Sequence, residues 1–329
     1  MRITITGGTG FLGSAIVDVL CEEGHDPSQI QAIARRPDPI LEAKGVTCVA
    51  ASILDGATLT RAFEGTDIVF HLAGRVTRRR SAEAALQRLH VDGTRLVLET
   101  AETAGVKRVI YASTSGTVGC GTTSDFMARD DDPDCMPVVG GWPYYATKIA
   151  AERMTMRFCA KHDMPVIILN PSLLLGPGDR RGSSTADVAR FLAGKIPSIP
   201  RGGLNFVDVR DAARAFVAAM TQGESGKRHL IGGTNMSLED FFGQLSTLSG
   251  VKGPRFRLPV SLELLGGTLF ETAARVFKTK SAIDRISAEM AQVFWYFEGR
   301  RAEEALGFQA RDAEETLRDT IADVKARQP

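Results

Sequence analysis

A tyrosine and a lysine lie four residues apart in GWPYYATKIAAE (141–152), a spacing that places them on one face of a helix. Tyr144 then shares a face with Lys148, whereas the adjacent Tyr145 shares one with Ile149. A phenol titrates at about pH 10 and is a poor proton donor or acceptor at neutral pH, but a nearby ammonium favours the phenolate. The spacing predicts that Tyr144 is an acid–base catalyst tuned by Lys148, and that Tyr145 packs against or lines the site.

A glycine-rich loop, TITGGTGFLGS (4–14), follows a predicted strand at the start of the chain and leads into a predicted helix. Gly7, Gly10 and Gly13 let the backbone turn tightly and approach a pyrophosphate. The charge of that group would face the N–H groups at the start of the helix. The loop therefore predicts a dinucleotide-binding site.

The end of the second predicted strand indicates which dinucleotide is bound. A site for NAD usually has an acidic residue here for the ribose 2′-hydroxyl, but AIARRPD (32–38) has Arg35 and Arg36. Guanidinium groups are planar and permanently charged, which suits a 2′-phosphate. We expect NADP(H) to be favoured, with NAD(H) possible through Asp38.

Three consecutive hydroxyl residues, Ser113, Thr114 and Ser115, lie at the end of the predicted strand 108–113. Ligands of a doubly wound sheet lie at the carboxyl ends of its strands. A hydroxyl in this place can donate a hydrogen bond to a substrate carbonyl and stabilise the charge that develops on its oxygen. Spacing alone does not choose among the three.

Short apolar runs alternate with helical patterns in the first half of the chain, which predicts βαβ units. The predicted strands are 2–6, 30–34, 46–50, 67–72, 108–113 and 165–169, and the predicted helices are 11–23, 57–64, 81–104 and 143–162. We expect an α/β fold, a Rossmann-type doubly wound parallel sheet with a smaller, mostly helical C-terminal substrate domain. The dinucleotide-binding domain would span 1–170, with 205–233 returning to it, and the substrate-binding domain 171–204 and 234–329.

Composition argues against several other classes of protein. Forty Lys and Arg against 39 Asp and Glu give a net charge of +1, which disfavours a nucleic-acid partner. The five cysteines and five histidines are scattered, so we expect no metal site and no disulfide framework. We expect no integral membrane segment, and the strand pattern at 2–6 leaves no room for a signal peptide. The expectation is a cytoplasmic protein with a small-molecule substrate.

Together these motifs resemble those of the extended short-chain dehydrogenase/reductase family, also called the NAD-dependent epimerase/dehydratase family. The matching segments are GGTGFLG (7–13), DIVFHLAG (67–74), VDGTRLVLETAETAGVKRVIYASTSG (91–116), YYATK (144–148), NPSLLLGPGD (170–179) and LNFVDVRDAARA (204–215). Within the family the chain looks most like the dihydroflavonol-4-reductase and 3β-hydroxysteroid dehydrogenase branch, because YASTSGTVG is similar to the hydroxyl segment of those reductases.

The resemblance implies a role for each matching residue. Thr114 matches the catalytic Ser/Thr of the family, and Tyr144 and Lys148 match its Tyr and Lys. The implied cofactor-binding residues are Gly7, Thr9, Gly10, Phe11, Leu12, Gly13, Arg35, Arg36, Ser52, Ile53, Leu72, Ala73, Gly74, Tyr144, Lys148, Pro171 and Leu173. Two residues depart from the family pattern. Ser52 replaces the usual acid beside the adenine, and His90 replaces a common Asn, which we interpret as a structural histidine.

The resemblance implies an NADP(H)-dependent oxidoreductase that interconverts a ketone and a secondary alcohol on a bulky, apolar substrate. Apolar residues in the C-terminal part suit such a substrate, or simply a core: Phe256, Leu264, Leu265, Phe270, Phe277, Phe294, Trp295 and Phe297. The alternative is a sugar-nucleotide epimerase or dehydratase, whose substrate diphosphate would bind Arg180, Arg181 and Arg201. A non-catalytic nucleotide sensor on the same fold is a third hypothesis.

Two further hypotheses concern assembly. By analogy with the family, we expect a homodimer formed through the helices at 81–104 and 143–162. An apolar helix at about 260–278 could lie at a bilayer surface, or pack against the substrate domain or a dimer partner.

Overall fold

The computed structural model describes residues 1–254, 256–259 and 285–327. Its strands are β1 (Ile3–Thr6), β2 (Ile30–Ala34), β3 (Thr47–Ala50), β4 (Ile68–His71), β5 (Arg108–Ala112), β6 (Ala128–Arg129), β7 (Val166–Pro171), β8 (Leu173–Leu175), β9 (Gly203–Asp208), β10 (Arg228–Ile231), β11 (Thr234–Ser237) and β12 (Phe297–Glu298). Seven of them form a parallel sheet in the order β10-β7-β5-β4-β1-β2-β3. The predicted Rossmann-type doubly wound sheet is therefore confirmed, and each predicted strand lies within two residues of its predicted bounds.

Two smaller sheets accompany the large one. A three-stranded sheet has the order β11-β9-β8, and β6 pairs with β12. Of the segment 205–233, which we expect to return to the dinucleotide-binding domain, β10 joins the large sheet whereas β9 belongs to the three-stranded one. The division of the chain into two domains stays a prediction.

The helices of the described residues flank these sheets. They are α1 (Phe11–Glu22), α2 (Pro39–Ala43), α3 (Gly56–Phe63), α4 (Glu83–Gln87), α5 (Gly93–Thr103), α6 (Met136–Val139), α7 (Pro143–Cys159), α8 (Ala186–Leu192), α9 (Val209–Ala218), α10 (Leu238–Ser249), α11 (Arg285–Met290), α12 (Arg300–Leu306) and α13 (Ala313–Arg327). The single helix predicted at 81–104 is wrong in detail, because a π turn at Arg88–Asp92 separates α4 from α5. This turn adds a residue to the helical repeat and buries His90 and Val91. Single π turns of this kind are frequent at functional sites.

Each face of the large sheet buries its own apolar layer. Ile110 packs in the cluster that contains α1 and α9, whereas Val109 and Tyr111 on the same strand pack with α3, α5 and α7. This alternation follows from the two-residue period of a strand. A sheet covered on both faces leaves its carboxyl edge as the place where polar side chains can collect.

The acidic run RDDDPD (129–134) is not the wholly solvated loop that its charge indicates. Asp130 is buried, and its carboxylate accepts hydrogen bonds from the N–H groups of Leu230 (2.9 Å) and Arg301 (3.2 Å). Asp134 accepts two from Arg153 on α7, at 2.7 and 2.8 Å. The run therefore ties its loop to β10 and α7.

Within the described residues, no helix combines the length and the apolar character that crossing a membrane requires. In the same part of the chain, no three His, Cys, Asp or Glu side chains group closely enough to hold a metal ion. The predicted apolar helix at about 260–278 lies outside the described residues, as do Leu264, Leu265, Phe270 and Phe277.

Candidate active site

The glycine loop between β1 and α1 has the shape that a dinucleotide site needs. Gly7 has φ +77°, the left-handed region that favours glycine, and a Cβ there would lie 2.9 Å from the nitrogen of Ala73. A Cβ on Gly13 would lie 2.6 Å from the carbonyl oxygen of Gly7. Gly10 caps α1 without a side chain, so no side chain occupies the N–H groups at the helix start. This cradle fits a pyrophosphate.

The other implied cofactor residues lie along the same edge of the sheet. Leu72, Ala73 and Gly74 follow β4, next to the loop after β1. Thr9 is buried within the loop, and Phe11 and Leu12 begin α1. Pro171 ends β7 and Leu173 begins β8. Neighbouring parallel strands thus bring all of these residues to one edge.

Arg35, Arg36 and Ser52 are exposed near this edge, whereas Ile53 is buried. Neither arginine forms an ion pair with any part of the chain that the structure describes. The Ser52 hydroxyl accepts a hydrogen bond from the N–H of Leu54 at 3.2 Å, and Ile53 packs against the position of Gly93 on α5. The arginines are therefore available to an anionic ligand.

Tyr144 lies in the first turn of α7, and the hydroxyl of Thr114 lies near enough to its phenol to lower the pKa of Tyr144. The neighbouring hydroxyls are placed differently. Ser113 donates to Glu152 at 2.5 Å, and Ser115 is buried. Among the three hydroxyl residues that spacing could not separate, Thr114 is therefore the one that meets Tyr144.

Lys148 is buried below Tyr144, but its ammonium is directed to β5. It donates to the hydroxyl of Tyr111 at 3.1 Å and to the carbonyl of Ala112 at 2.7 Å. Lys148 is not among the groups that shift the pKa of Tyr144 here, and its lowering of that pKa beside a bound nicotinamide stays a prediction. Burial raises the pKa of Tyr144 to about 12, against the lowering effect of the neighbouring Thr114 hydroxyl. Burial also lowers the pKa of Lys148 to about 8, against the opposing charge of Glu152.

Lys148 adjoins a buried group of polar side chains beneath the edge of the sheet. The Tyr111 ring, whose hydroxyl accepts from Lys148, stacks on His71 with centroids 5.5 Å apart, and Nε2 of His71 lies 2.9 Å from the hydroxyl of Thr94. Nδ1 of His71 lies 2.8 Å from the hydroxyl of Thr6. Burial, with the nearby charge of Lys148, lowers the pKa of His71 to about 3, so that its ring is neutral. Lys148 is thus held against β5, and the hydrogen bond of His71 with Thr6 joins β4 to β1 beside it.

His90, in the π turn, is confirmed as a hydrogen-bonded buried histidine. Its Nε2 accepts from the N–H of Arg75 at 3.2 Å, so its Nδ1 must be the donor to the Thr147 hydroxyl at 2.9 Å. The ring meets the edge of Tyr144, with centroids 5.7 Å apart. Burial, followed by the charge of Lys148, lowers its pKa to about 3. His90 therefore supports the position of Tyr144 as a neutral ring.

A buried carboxylate links the strand ends that form the floor of the site. Glu152 accepts hydrogen bonds from Ser113 (2.5 Å), Thr117 (3.1 Å) and Asn170 (2.6 Å). It also forms an ion pair with Arg228 on β10, at 2.6 Å. These partners follow β5, end β7 and begin β10, so one side chain joins three strands.

Aromatic side chains lie beside Tyr144. Tyr145 stacks on Trp295 with centroids 4.8 Å apart, and Trp142 lies 5.8 Å from Trp295. The Trp142 ring donates to Glu289 at 2.9 Å. A Cβ on Gly116 would lie 2.2 Å from the ring of Tyr145, so glycine is required for this packing. We call Trp142, Tyr145 and Trp295 the aromatic wall.

Four of the apolar residues considered for contact with a bulky substrate lie in the described structure, and they occupy different environments. Phe294 and Phe297 are buried, as a core reading predicts, and Phe256 is 59% exposed. Trp295 is half-buried and belongs to the aromatic wall. Among these four, Trp295 is the one whose ring contacts Tyr145, the neighbour of Tyr144, in the described structure.

Two of the three arginines considered for a sugar-nucleotide diphosphate lie on the dinucleotide side. Arg180 forms a bidentate ion pair with Asp38, at 3.1 and 2.5 Å, and Arg181 donates to Thr9 at 3.3 Å. Arg201 is exposed. Arg180 and Arg181 are thus engaged with residues that follow β2 and β1, which weakens their assignment to a substrate diphosphate.

Sequence reasoning missed Glu152, Tyr111 and the partnership of Arg180 with Asp38. One signal was present, because Glu152 continues the four-residue spacing of Tyr144 and Lys148 along α7. Glutamate on a helix is usually exposed, however, and only tertiary packing buries this one. The contact from Arg180 to Asp38 spans 142 residues and has no local signature.

Fold and site together define a class: doubly wound α/β enzymes that bind a nicotinamide dinucleotide at the carboxyl edge of the sheet. The model of the NAD dependent epimerase/dehydratase family matches residues 3–232. The chain belongs to this family and is an NAD(P)-dependent enzyme of the short-chain dehydrogenase/reductase type.

Similar proteins include both reductases and epimerases. "Putative dihydroflavonol 4-reductase" of Synechocystis sp. (strain ATCC 27184 / PCC 6803 / Kazusa) is 28% identical over 96% of this chain and 92% of that protein. "UDP-glucose 4-epimerase" of Mycolicibacterium smegmatis (strain ATCC 700084 / mc(2)155) is 29% identical over 84% of this chain and 91% of that one. The solved structure of gox2253 has a TM-score of 0.84 at 29% identity, covering 99% and 98% of the two chains. These similarities do not name a substrate.

Proposed function

We propose that the protein is an NADP(H)-dependent oxidoreductase that interconverts a ketone and a secondary alcohol on a bulky, apolar substrate. The observation that carries this proposal is the proximity of the Tyr144 phenol to the Thr114 hydroxyl, next to the aromatic wall that Tyr145 and Trp295 help to form. A proton donor and a second hydroxyl thus converge next to apolar surface, at the edge where the glycine loop lies. This arrangement suits a carbonyl group carried on an apolar body.

The proposed mechanism divides the work between two hydroxyl groups. The nicotinamide supplies or accepts the hydride when it is bound. Tyr144 donates a proton to the substrate oxygen, and its raised pKa keeps the phenol protonated at neutral pH. Thr114 donates a hydrogen bond to the same oxygen as negative charge develops there. Lys148 places its charge beneath the site and would hold the ribose of a bound cofactor.

Preference for NADP(H) over NAD(H) rests on Arg35 and Arg36. Both are exposed directly after β2, and neither pairs with an acid in the described structure. An unpaired guanidinium can form two parallel hydrogen bonds to a phosphate, which the 2′-hydroxyl of NAD does not offer. The glycine loop, residues 72–74, Pro171 and Leu173 would hold the remainder of the dinucleotide.

The rival function is sugar-nucleotide epimerisation or dehydration, which the family name includes. Such a substrate needs cations for its diphosphate. The engagement of Arg180 with Asp38 and of Arg181 with Thr9 favours the reductase instead. The aromatic wall also favours an apolar substrate.

A substrate panel separates these functions. We expect NADPH absorbance to fall in proportion to product when the protein is given sterol or flavonoid ketones. Interconversion of a UDP-sugar without net change in NADPH would support the epimerase instead. Tight binding of NADPH with no turnover of any substrate would support the sensor hypothesis.

The two directions of reaction should depend differently on pH. Oxidation of the alcohol needs the Tyr144 phenolate, so its kcat/KM should rise about tenfold per pH unit below the pKa of about 12. Reduction needs the phenol, which stays protonated over the same range, so its kcat/KM should be nearly constant. Initial rates in both directions between about pH 6 and pH 7, where Lys148 stays protonated below its pKa of about 8, test this. Tyr145→Phe should keep both profiles, and an oxidation rate independent of pH would contradict the assignment.

We also propose that the protein is a cytoplasmic homodimer, formed through α4, α5 and α7. This assembly is the one that the family resemblance implies. Light scattering on the purified protein gives its mass directly, and twice the 35.4 kDa of one chain is expected.

A further inference from the structure

Two adjacent arginines reach from the loop after β8 to the dinucleotide side of the molecule. Arg180 pairs with Asp38 through both guanidinium nitrogens, and Arg181 donates to the hydroxyl of Thr9. Asp38 lies in the loop after β2 and Thr9 in the glycine loop. The two contacts thus connect a distant segment to both loops that define a dinucleotide site.

The segment that carries these arginines is held rigidly by its own hydrogen bonds. The buried carboxylate of Asp179 accepts from the N–H groups of Ser183 (3.0 Å), Ser184 (2.7 Å) and Thr185 (2.9 Å). Arg327 on α13 donates to the carbonyl of Asp179 at 2.5 Å. The segment that carries Arg180 is therefore held in one conformation, which fixes the position from which Arg180 contacts Asp38.

Asp38 is likewise fixed. Its side chain is 7% exposed, and its carboxylate accepts from the N–H of Ile40 at 3.0 Å, where it caps α2. The hydrogen bond from Arg180 is the main cause that lowers the pKa of Asp38. An ionised carboxylate thus lies two residues after Arg36 and three after Arg35, the arginines proposed to bind the 2′-phosphate.

A fixed carboxylate in this place opposes NADP(H). Its charge would repel a 2′-phosphate, and the carboxylate is of the type that accepts from the 2′-hydroxyl of NAD. The helix cap holds Asp38 in place, so the carboxylate does not swing away when its partner is lost. Its charge must be balanced for a phosphate to bind nearby.

We propose that Arg180 determines the preference for NADP(H) by neutralising Asp38, and that it does not bind the 2′-phosphate itself. This inference rests on the proposed NADP(H) specificity. Arg180 is thus a positioning and charge-compensating residue for cofactor choice, supplied by a segment far from β2. The coenzyme specificity of this chain then depends on a contact between two distant segments, and not on the residues after β2 alone.

Dissociation constants of NADPH and NADH, measured by calorimetry without substrate, test the proposal. The quantity compared is the ratio of the two constants. Arg180→Ala should reduce the preference for NADPH about tenfold, because an uncompensated charge remains beside the phosphate. Asp38→Asn removes the charge but keeps a side chain that can cap α2. In that background, Arg180→Ala should change the ratio by less than about twofold.

Two arginine variants serve as matched controls. Arg35→Ala should lose the preference for NADPH whether residue 38 is Asp or Asn, because its proposed role is direct contact with the phosphate. Arg181→Ala, on the adjacent residue, should weaken NADPH and NADH equally, since Thr9 lies in the glycine loop. Thermal unfolding of each variant confirms that it is folded; Arg180 is 39% exposed, so its loss should be tolerated.

The outcomes separate this inference from the function on which it rests. A wild-type protein that binds NADH as tightly as NADPH would overturn the proposed NADP(H) specificity. A wild-type preference for NADPH that Arg180→Ala leaves unchanged would overturn the inference alone. An Arg180→Ala effect that persists in full with Asp38→Asn would also overturn it, because Arg180 would then contact the phosphate directly. Recovery of NADPH binding in the double variant is the expected result.

Discussion

Tyr144→Phe should lower kcat for ketone reduction about a thousandfold, while the dissociation constant of NADPH changes by less than about twofold. The substitution removes one oxygen, and with it the proton that the substrate oxygen must receive. The ring itself remains, so its contacts with His90 and Tyr145 are kept. Turnover is measured by NADPH absorbance with the best substrate of the panel, and binding by fluorescence titration.

Tyr145→Phe is the matched control for this experiment. It removes the same oxygen from the adjacent tyrosine, whose ring stacks on Trp295 and belongs to the aromatic wall. We expect kcat to change by less than about fivefold, because Tyr145 is not placed to donate the proton. If Tyr144→Phe retained a tenth or more of the wild-type kcat, Tyr144 would not be the proton donor and the sensor hypothesis would regain support.

The large sheet could be predicted because its strands are local signals. Buried parallel strands are short, nearly continuous apolar runs, such as PVIIL at 165–169, and such runs end where the polar loops begin. Their parallel order follows from the helices between them. Breaks within an element are less visible. The π turn at Arg88–Asp92 depends on the burial of His90 against Thr147 on another helix, which no window of the sequence contains.

The parts of the candidate site that could be predicted are those that depend on residue spacing within a single helix or strand. Tyr144 and Lys148 share a helix, so their spacing identified both. The strand end gave three hydroxyl residues, and the resemblance to the family pointed to Thr114 among them. Which partner each side chain takes is a tertiary property. Lys148 donates to Tyr111 and Ala112 on β5, and the pKa of Tyr144 is raised by burial, an effect that depends on packing around the ring.

The partners of charged side chains were also not predictable from the sequence, and Arg180 is the clearest case. Arg180 reads as a surface cation available to a substrate, because its sequence neighbours are Gly, Pro, Asp and Arg. Its true partner, Asp38, lies on a different segment and reads from sequence as a weak NAD ligand. Each residue alone suggests a role in ligand binding. Only the contact between them shows that the charge of Arg180 balances the charge of Asp38.

Glu152→Ala should lower the free energy of unfolding by about 3–5 kcal/mol, the range for breaking a buried ion pair from one side. The carboxylate is 1% exposed and faces Arg228, whose side chain is 10% exposed. Its loss leaves that guanidinium buried without its partner, and also removes an acceptor for Ser113, Thr117 and Asn170. Chemical denaturation, monitored by fluorescence, gives the free energy of each variant.

Two controls show whether the buried charge is the cause. Glu303→Ala removes an exposed glutamate from α12, outside the proposed dimer interface, and should cost less than about 0.5 kcal/mol. The double variant Glu152→Ala, Arg228→Ala should lose less than the sum of the two single variants, because the second substitution removes the charge that the first leaves unpaired. Additive losses would mean that the two residues act independently. Glu152 would then stabilise the strand ends through its hydrogen bonds with Ser113, Thr117 and Asn170, and not through the charge of Arg228.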